Sequence, residues 1–152
     1  MNLLDVLTGS NWDAGLEHYD FLCRIEFRDD YTGTMKAGGA QVLRLMVDFK
    51  FLIIGDDRIK FEFLDTEAEG FFTNASFERT DLNAFRSVEF ELIEGPFAIN
   101  EPYLGVQNYR YKLRFNLSPF PINTDAEREY VDFYGWLEKN KYGHQALFYF
   151  VN

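Results

Sequence analysis

Leu43-Arg44-Leu45-Met46-Val47-Asp48-Phe49-Lys50-Phe51-Leu52-Ile53-Ile54-Gly55-Asp56-Asp57-Arg58-Ile59-Lys60-Phe61-Glu62-Phe63-Leu64 is the stretch that decides the fold class. Within the run Gln41 to Ile54, Leu43, Leu45, Val47, Phe49, Phe51 and Ile53 form one set of alternate residues. Arg44, Asp48 and Lys50 belong to the other. After Gly55-Asp56-Asp57 the alternation resumes, with Ile59, Phe61 and Phe63 opposed to Arg58, Lys60 and Glu62. Side chains of a strand point to opposite faces in turn, so period two marks a strand with one buried face. Two such runs joined by a short Gly-Asp-Asp turn make an antiparallel hairpin.

The same period extends in both directions. From Leu16 to Arg28, Tyr19, Phe21, Cys23, Ile25 and Phe27 face one way, and His18, Asp20, Arg24, Glu26 and Arg28 the other. Asp29-Asp30 turns the chain into a short strand, Thr32 to Lys36, which Gly38-Gly39 should break. Phe71 to Arg79 reads as a weaker strand. Ser87 to Ile93 is clearer, with Val88, Phe90 and Leu92 against Glu89 and Glu91. The 14 residues Gly95–Asn108 hold two prolines and read as a loop. In Tyr109 to Leu117, Tyr109, Tyr111, Leu113, Phe115 and Leu117 oppose Arg110, Lys112, Arg114 and Asn116. An acidic outer face next to a basic one helps set the register of these last two strands.

Helices are few. Asn2 to Leu7 is one helical turn or two, ended by Thr8-Gly9-Ser10-Asn11. Thr124-Asp125-Ala126-Glu127 fits a capping box, and Ala126, Tyr130, Phe133, Tyr134 and Leu137 share a helical face. A strand over 125–138, with Val131, Phe133 and Leu137 together, is the competing reading. Gln145 to Val151 forms a last strand. The expectation is a mainly β, single domain over residues 1–152. About eight antiparallel strands in up-and-down order curl into a barrel.

Composition agrees. The 152 residues are 47% hydrophobic and 18% aromatic, which excludes a disordered chain. A net charge of -10 argues against nucleic acid or an anionic membrane surface as partner. The lone Cys23 allows no intrachain disulfide, no apolar run approaches the ~20 residues of a membrane helix, and Met1 to Leu7 lacks the basic start of a signal peptide. A cytoplasmic location is expected.

Leu7-Thr8-Gly9-Ser10-Asn11-Trp12 followed by a long alternating strand resembles the opening of a lipocalin or calycin. Asp30-Tyr31-Thr32-Gly33-Thr34 is similar to a hairpin of small lipocalin-like domains. The resemblance implies an eight-stranded barrel whose Trp12 plugs one end and whose interior receives a small ligand. The family's Gly-x-Trp is here Gly9-x-x-Trp12. The late Arg that stacks on that Trp has no counterpart after Arg128, so Trp12 should pack against apolar groups instead.

Chemistry is hard to find. His18 and His144 fall near the starts of the first and last strands, at opposite rims of a meander, and so do not form a shared site. Cys23, on an apolar face, is an inert core thiol. The pairs Asp29-Asp30 and Asp56-Asp57, and Glu67 with Glu69, fall at turns, where Asp bonds the local backbone. No metal spacing, phosphate loop or nucleophile motif occurs, so no enzyme, metal or cofactor is expected. The aromatics remain. Tyr19, Phe21, Phe49, Phe61, Phe90, Tyr109 and Tyr111 face inward; they either fill the core or line a cavity for a small apolar molecule. With no Arg or Lys on the inward faces so read, that ligand should be neutral or weakly polar. The alternative is an acidic interaction module, an inhibitor or immunity-like partner of a basic protein. Its anchors would be Phe97, Tyr103 and Leu104 in the Gly95–Asn108 loop, which also holds Ile99.

Overall fold

A computed structural model describes residues 2–14, 21–39, 42–66, 84–101, 103–116, 119 and 149–152. A short helix, α1 (Leu3–Thr8), precedes eight strands: β1 (Trp12–Ala14), β2 (Phe21–Phe27), β3 (Thr32–Gly39), β4 (Val42–Ile54), β5 (Arg58–Thr66), β6 (Phe85–Glu101), β7 (Gly105–Phe115) and β8 (Tyr149–Val151). Each pairs antiparallel with its neighbours in sequence order. The pair Asp13↔Val151 joins β1 to β8 and closes the barrel. The mainly β, closed, up-and-down architecture read from the alternation is thus the observed one.

The hairpin that decided the class pairs Phe49↔Phe63, Phe51↔Phe61 and Ile53↔Ile59. Phe49, Phe51, Phe61 and Phe63 are all buried, whereas Lys50, Lys60 and Glu62 are exposed. Ile25 and Phe27 of β2 and Val88 and Phe90 of β6 are buried in the same core. Glu91 stands opposite Arg114, as the acidic and basic faces require, with 3.8 Å between Arg114 Nε and Glu91 Oε2.

Three strand boundaries differ from the sequence reading. The sequence reading has no counterpart of β1: Trp12–Ala14 is a strand of its own, paired with β2 through Trp12↔Ile25 and Ala14↔Cys23. Three residues are too few to show a period. Gly38-Gly39 does not break β3, which pairs on to Gly39↔Val42; a register shift between Ala37 and Gly38 absorbs the irregularity. Finally, Gly95–Asn108 is not a loop. β6 runs on to Glu101 and β7 starts at Gly105, with pairs from Phe97↔Tyr109 to Glu101↔Gly105. Pro96 falls in the register shift between Glu94 and Phe97, where a strand tolerates a missing N–H.

β5 pairs directly with β6, from Arg58↔Glu89 to Glu62↔Phe85, so the barrel closes without the predicted strand 71–79. That segment, the predicted helix near the C-terminus, His18, Tyr19 and His144 lie outside the described residues.

α1 and Trp12 sit at one end of the barrel. Asn2 caps the helix, its Oδ1 accepting from Leu4 N at 3.0 Å. Trp12 is fully buried with Leu7 in the main core, and its indole Nε1 donates to the Leu7 carbonyl at 2.9 Å. The indole thus spends its one polar atom on the helix end and offers the rest to apolar neighbours. At the same end the turn after β2 is braced by Asp30, which accepts from Thr32 N at 3.1 Å and from Thr32 Oγ1 at 2.6 Å. The Thr32 hydroxyl bond holds the Asp30 carboxyl below its ordinary value.

Candidate functional site

The end of the barrel near α1 is filled by rings. Phe27 lies 5.7 Å from Phe49 and 5.1 Å from Phe51, edge to face. Phe61 meets Phe49 at 5.0 Å and stacks on Phe63 at 5.9 Å. These are preferred aromatic geometries, and they leave the layer close-packed. Of the expected lining residues, Phe49 and Phe61 are fully buried, and Phe90 and Tyr111 nearly so, all in one core. Tyr109 is not with them. It is half-buried on the extension of β7, opposite Phe97, and its hydroxyl donates to Glu101 at 2.5 Å. Burial, and then that bond to a carboxylate, push its hydroxyl well above the usual tyrosine range. Phe21 stands at the start of β2, its backbone paired with Gly39.

Away from α1 the wall changes character. There β2 and β3 pair as Phe21↔Gly39, Leu22↔Gly38 and Cys23↔Ala37. Over these rungs β3 carries nothing larger than a methyl group. Glycine in a strand often marks a bulge, as at the register shift between Ala37 and Gly38, or a close approach of a ligand or backbone.

β6 brings a residue that the sequence reading missed. The strand starts at Phe85, two residues before the Ser87 expected, so Arg86 enters the inward set with Val88 and Phe90. It stands opposite the fully buried Phe61 and is itself half-buried. Its neighbour Phe85 faces outward, 57% exposed, with Lys60 Nζ 5.7 Å from the ring centroid. The alternation Phe85-Arg86-Ser87-Val88 was visible in the sequence. It became readable only once a phenylalanine could be placed outside.

The third region is the far part of β6 and β7. Past Glu89, β6 has no described ladder partner but β7. Phe97 and Ile99 are half-buried there, and Lys112 Nζ lies 4.4 Å from the Phe97 ring centroid. At the tip Tyr103 is 92% exposed, Leu104 68% and Val106 64%. Gln107 Nε2 donates to the Leu104 carbonyl at 3.0 Å and fixes the turn.

Two clefts border α1 from outside the barrel. One, about 450 Å³, lies between α1 and β7, with Asp5, Ser10, Arg110 and Asn152 on its walls. The other, about 370 Å³, lies between the end of α1 and the rim of β2. Among the described residues no three His, Cys, Asp or Glu side chains group as metal ligands, and no helix is long and apolar enough to cross a membrane.

No protein-family model, curated protein or solved structure matches the chain. Its function has to be sought in the barrel, its plugged end and the inward arginine.

Proposed function

We propose that this chain is a non-catalytic binding protein that holds a small, mostly apolar ligand in the part of the barrel away from α1. One observation carries the reading: the half of the barrel near α1 is a sealed, packed floor, and the β3 rungs beyond it are built from the smallest residues. Near α1 the barrel is sealed by Trp12 and packed with phenylalanines; further along, β3 contributes only Ala37, Gly38 and Gly39. A closed barrel of eight strands has just enough interior to fill itself or to admit one small molecule. A closed floor beneath such rungs would form a cup for one small guest. The resemblance to lipocalins supports the same reading. In this cup Phe61 and Phe90 belong to the floor, and Tyr19 and Phe21 would belong to the wall. A cytoplasmic location fits the lone thiol Cys23.

Native mass spectrometry of freshly purified protein, with titration of the neutral fluorophore N-phenyl-1-naphthylamine, tests this. A co-purified small molecule or saturable one-to-one probe binding is expected. A chain that arrives empty and binds no probe overturns the carrier reading.

A second reading rests on the β6–β7 tip. Three large hydrophobic side chains exposed at one turn, on a protein of net charge -10, suit an anchor presented to a basic protein. Tyr103 and Leu104 would enter the partner, and Phe97 would stiffen the arm from behind. Carrier and anchor use different ends of the chain's surface and do not exclude each other.

A further inference from the structure

We infer that the cleft between α1 and β7 binds a small zwitterion of the size of a free amino acid. Asp5 faces its ammonium group and Arg110 its carboxylate. The site lies outside the barrel and does not depend on what the barrel holds.

The cleft opens to solvent and encloses about 450 Å³, a volume typical of small-molecule sites, and every residue on its walls is described. One wall is α1 and the turn after it, with Asp5, Val6 and Ser10; the other is β7, with Arg110 and Tyr111. Both walls are tied to the core. Leu7 is fully buried, and its carbonyl accepts from Trp12 Nε1 at 2.9 Å. Across the cleft, Arg110 N and Tyr111 N donate to the Asn152 carbonyl at 2.9 and 3.4 Å, and Asn152 N donates back to the Tyr111 carbonyl at 3.2 Å. A guest therefore meets walls already in place, which reduces the ordering cost of binding.

Charge selects the guest. Asp5 and Arg110 stand on opposite walls and are not bridged to each other. Among the described residues, the Asp5 carboxylate has no hydrogen-bond donor or ion-pair partner, and the Arg110 guanidinium has no acceptor. The guanidinium instead lies over the Tyr111 ring, 5.1 Å from its centroid. Stacking of that kind orients the planar fork and leaves its N–H edge available for a bidentate carboxylate. A simple anion would meet Asp5 as well as Arg110, on a chain of net charge -10, and a simple cation would meet Arg110. A molecule carrying both charges meets each with its opposite. Val6 is half-buried and Tyr111 nearly buried, so the same walls offer some apolar surface to a hydrocarbon side chain.

The test uses L-phenylalanine, 3-phenylpropionate and phenethylamine, which share one hydrocarbon body and carry both charges, the negative alone and the positive alone. Each is titrated into the full nitrogen-15-labelled chain and followed by amide shifts. Exposed charge contacts are individually weak, so the wild type should bind L-phenylalanine about threefold to fivefold tighter than either partial analogue. The largest shifts should fall on Val6, Gly9 and Tyr111. Arg110→Gln should erase the advantage over phenethylamine and leave phenethylamine bound no more weakly than before. Asp5→Asn should erase the advantage over 3-phenylpropionate and leave 3-phenylpropionate bound no more weakly. Both side chains are exposed, so both variants should melt as the wild type does, and the wild-type comparison decides by itself if one does not. Equal wild-type affinity for the three compounds overturns the proposal. So do an advantage that survives either substitution in a folded variant, shifts that fall on Phe61 and Phe90 inside the barrel, and a failure to bind L-phenylalanine at all.

Discussion

The β4–β5 hairpin and the far part of the β6–β7 hairpin are written in the same code and end in different states. Both alternate aromatic or aliphatic residues with polar ones, and both turn through left-handed residues: Gly55 (φ 64°) in the first, Tyr103 (φ 70°) and Gly105 (φ 75°) in the second. In β4–β5 the inward phenylalanines are almost wholly buried; at the tip of β6–β7 Tyr103 is 92% exposed. The difference lies in the neighbours. β4 is flanked by β3 and β5 by β6, whereas past Glu89 the described partners of β6 and β7 are each other. Alternation assigns side chains to faces. Only a further layer, or closure of the barrel, decides whether a face is buried.

The largest expected effect contrasts the two hairpins directly. Phe61→Ala removes a fully buried ring that touches Phe27, Phe49 and Phe63, and should cost about 3–5 kcal/mol of unfolding free energy. Leu104→Ala at the exposed tip should stay within about 0.5 kcal/mol. Urea unfolding of both variants measures this. A large loss from Leu104→Ala would mean that the tip is part of the folded core after all.

A smaller contrast separates two glycines. A Cβ on Gly33 would overlap the Glu26 carbonyl oxygen and the Phe49 ring, one of which is backbone and cannot swing aside. Gly33→Ala should therefore act as overpacking and cost about 1–3 kcal/mol, with a changed near-ultraviolet signal from the ring cluster. Gly105→Ala meets nothing within 4 Å, but φ is 75° there. Its cost, about 1 kcal/mol, should come from backbone strain alone and leave the aromatic signal untouched. A silent Gly33→Ala would show that the ring of Phe49 does not lie over β3.

Legibility followed the same division. The inward faces of β2, β4 and β5 could be read because five or more alternating residues repeat the assignment. The sequence reading starts this strand at Ser87, two residues late: Phe85 is exposed beside Lys60 and Arg86 faces inward, so apolar and polar residues are exchanged between the two faces there and the alternation gives no signal. Arg86, opposite Phe61 in the ladder, is hidden by the same exchange. The β6–β7 extension escapes the sequence reading because prolines mark loops in most contexts, whereas Pro96 falls here at a register shift within a strand pair. Phase alone groups Tyr109 with Tyr111, although at residue 109 β7 has not yet entered the barrel and the Tyr109 hydroxyl reaches Glu101. Phase is local and legible; the point at which a strand leaves the barrel depends on distant partners.

The smallest predicted effect compares the two tyrosines held in left-handed backbone, Tyr31 at φ 63° beside the barrel rim and Tyr103 at φ 70° on the tip. That conformation costs a residue with a side chain roughly 1–2 kcal/mol, and glycine escapes it, less about 0.5–1 kcal/mol of extra chain entropy lost on folding. Tyr103→Gly should therefore be neutral or stabilising by up to about 1 kcal/mol, because a ring 92% exposed buries little apolar surface, whatever else Tyr103 touches. Tyr31 has more at stake. Its ring lies 5.4 Å from that of Phe51, and its carbonyl accepts from Phe51 N at 2.9 Å. The backbone bond survives the substitution, but the ring contact, worth about 0.5–1.5 kcal/mol, does not. Tyr31→Gly should thus come out neutral or destabilising, roughly 1 kcal/mol below its counterpart in thermal melts run side by side. Equal gains from both would show that the Tyr31 ring adds nothing to the rim. A loss from Tyr103→Gly would show that the tip tyrosine is held by more than its exposure suggests, and the β6–β7 arm would then be a supported wall of the barrel and not a presented anchor.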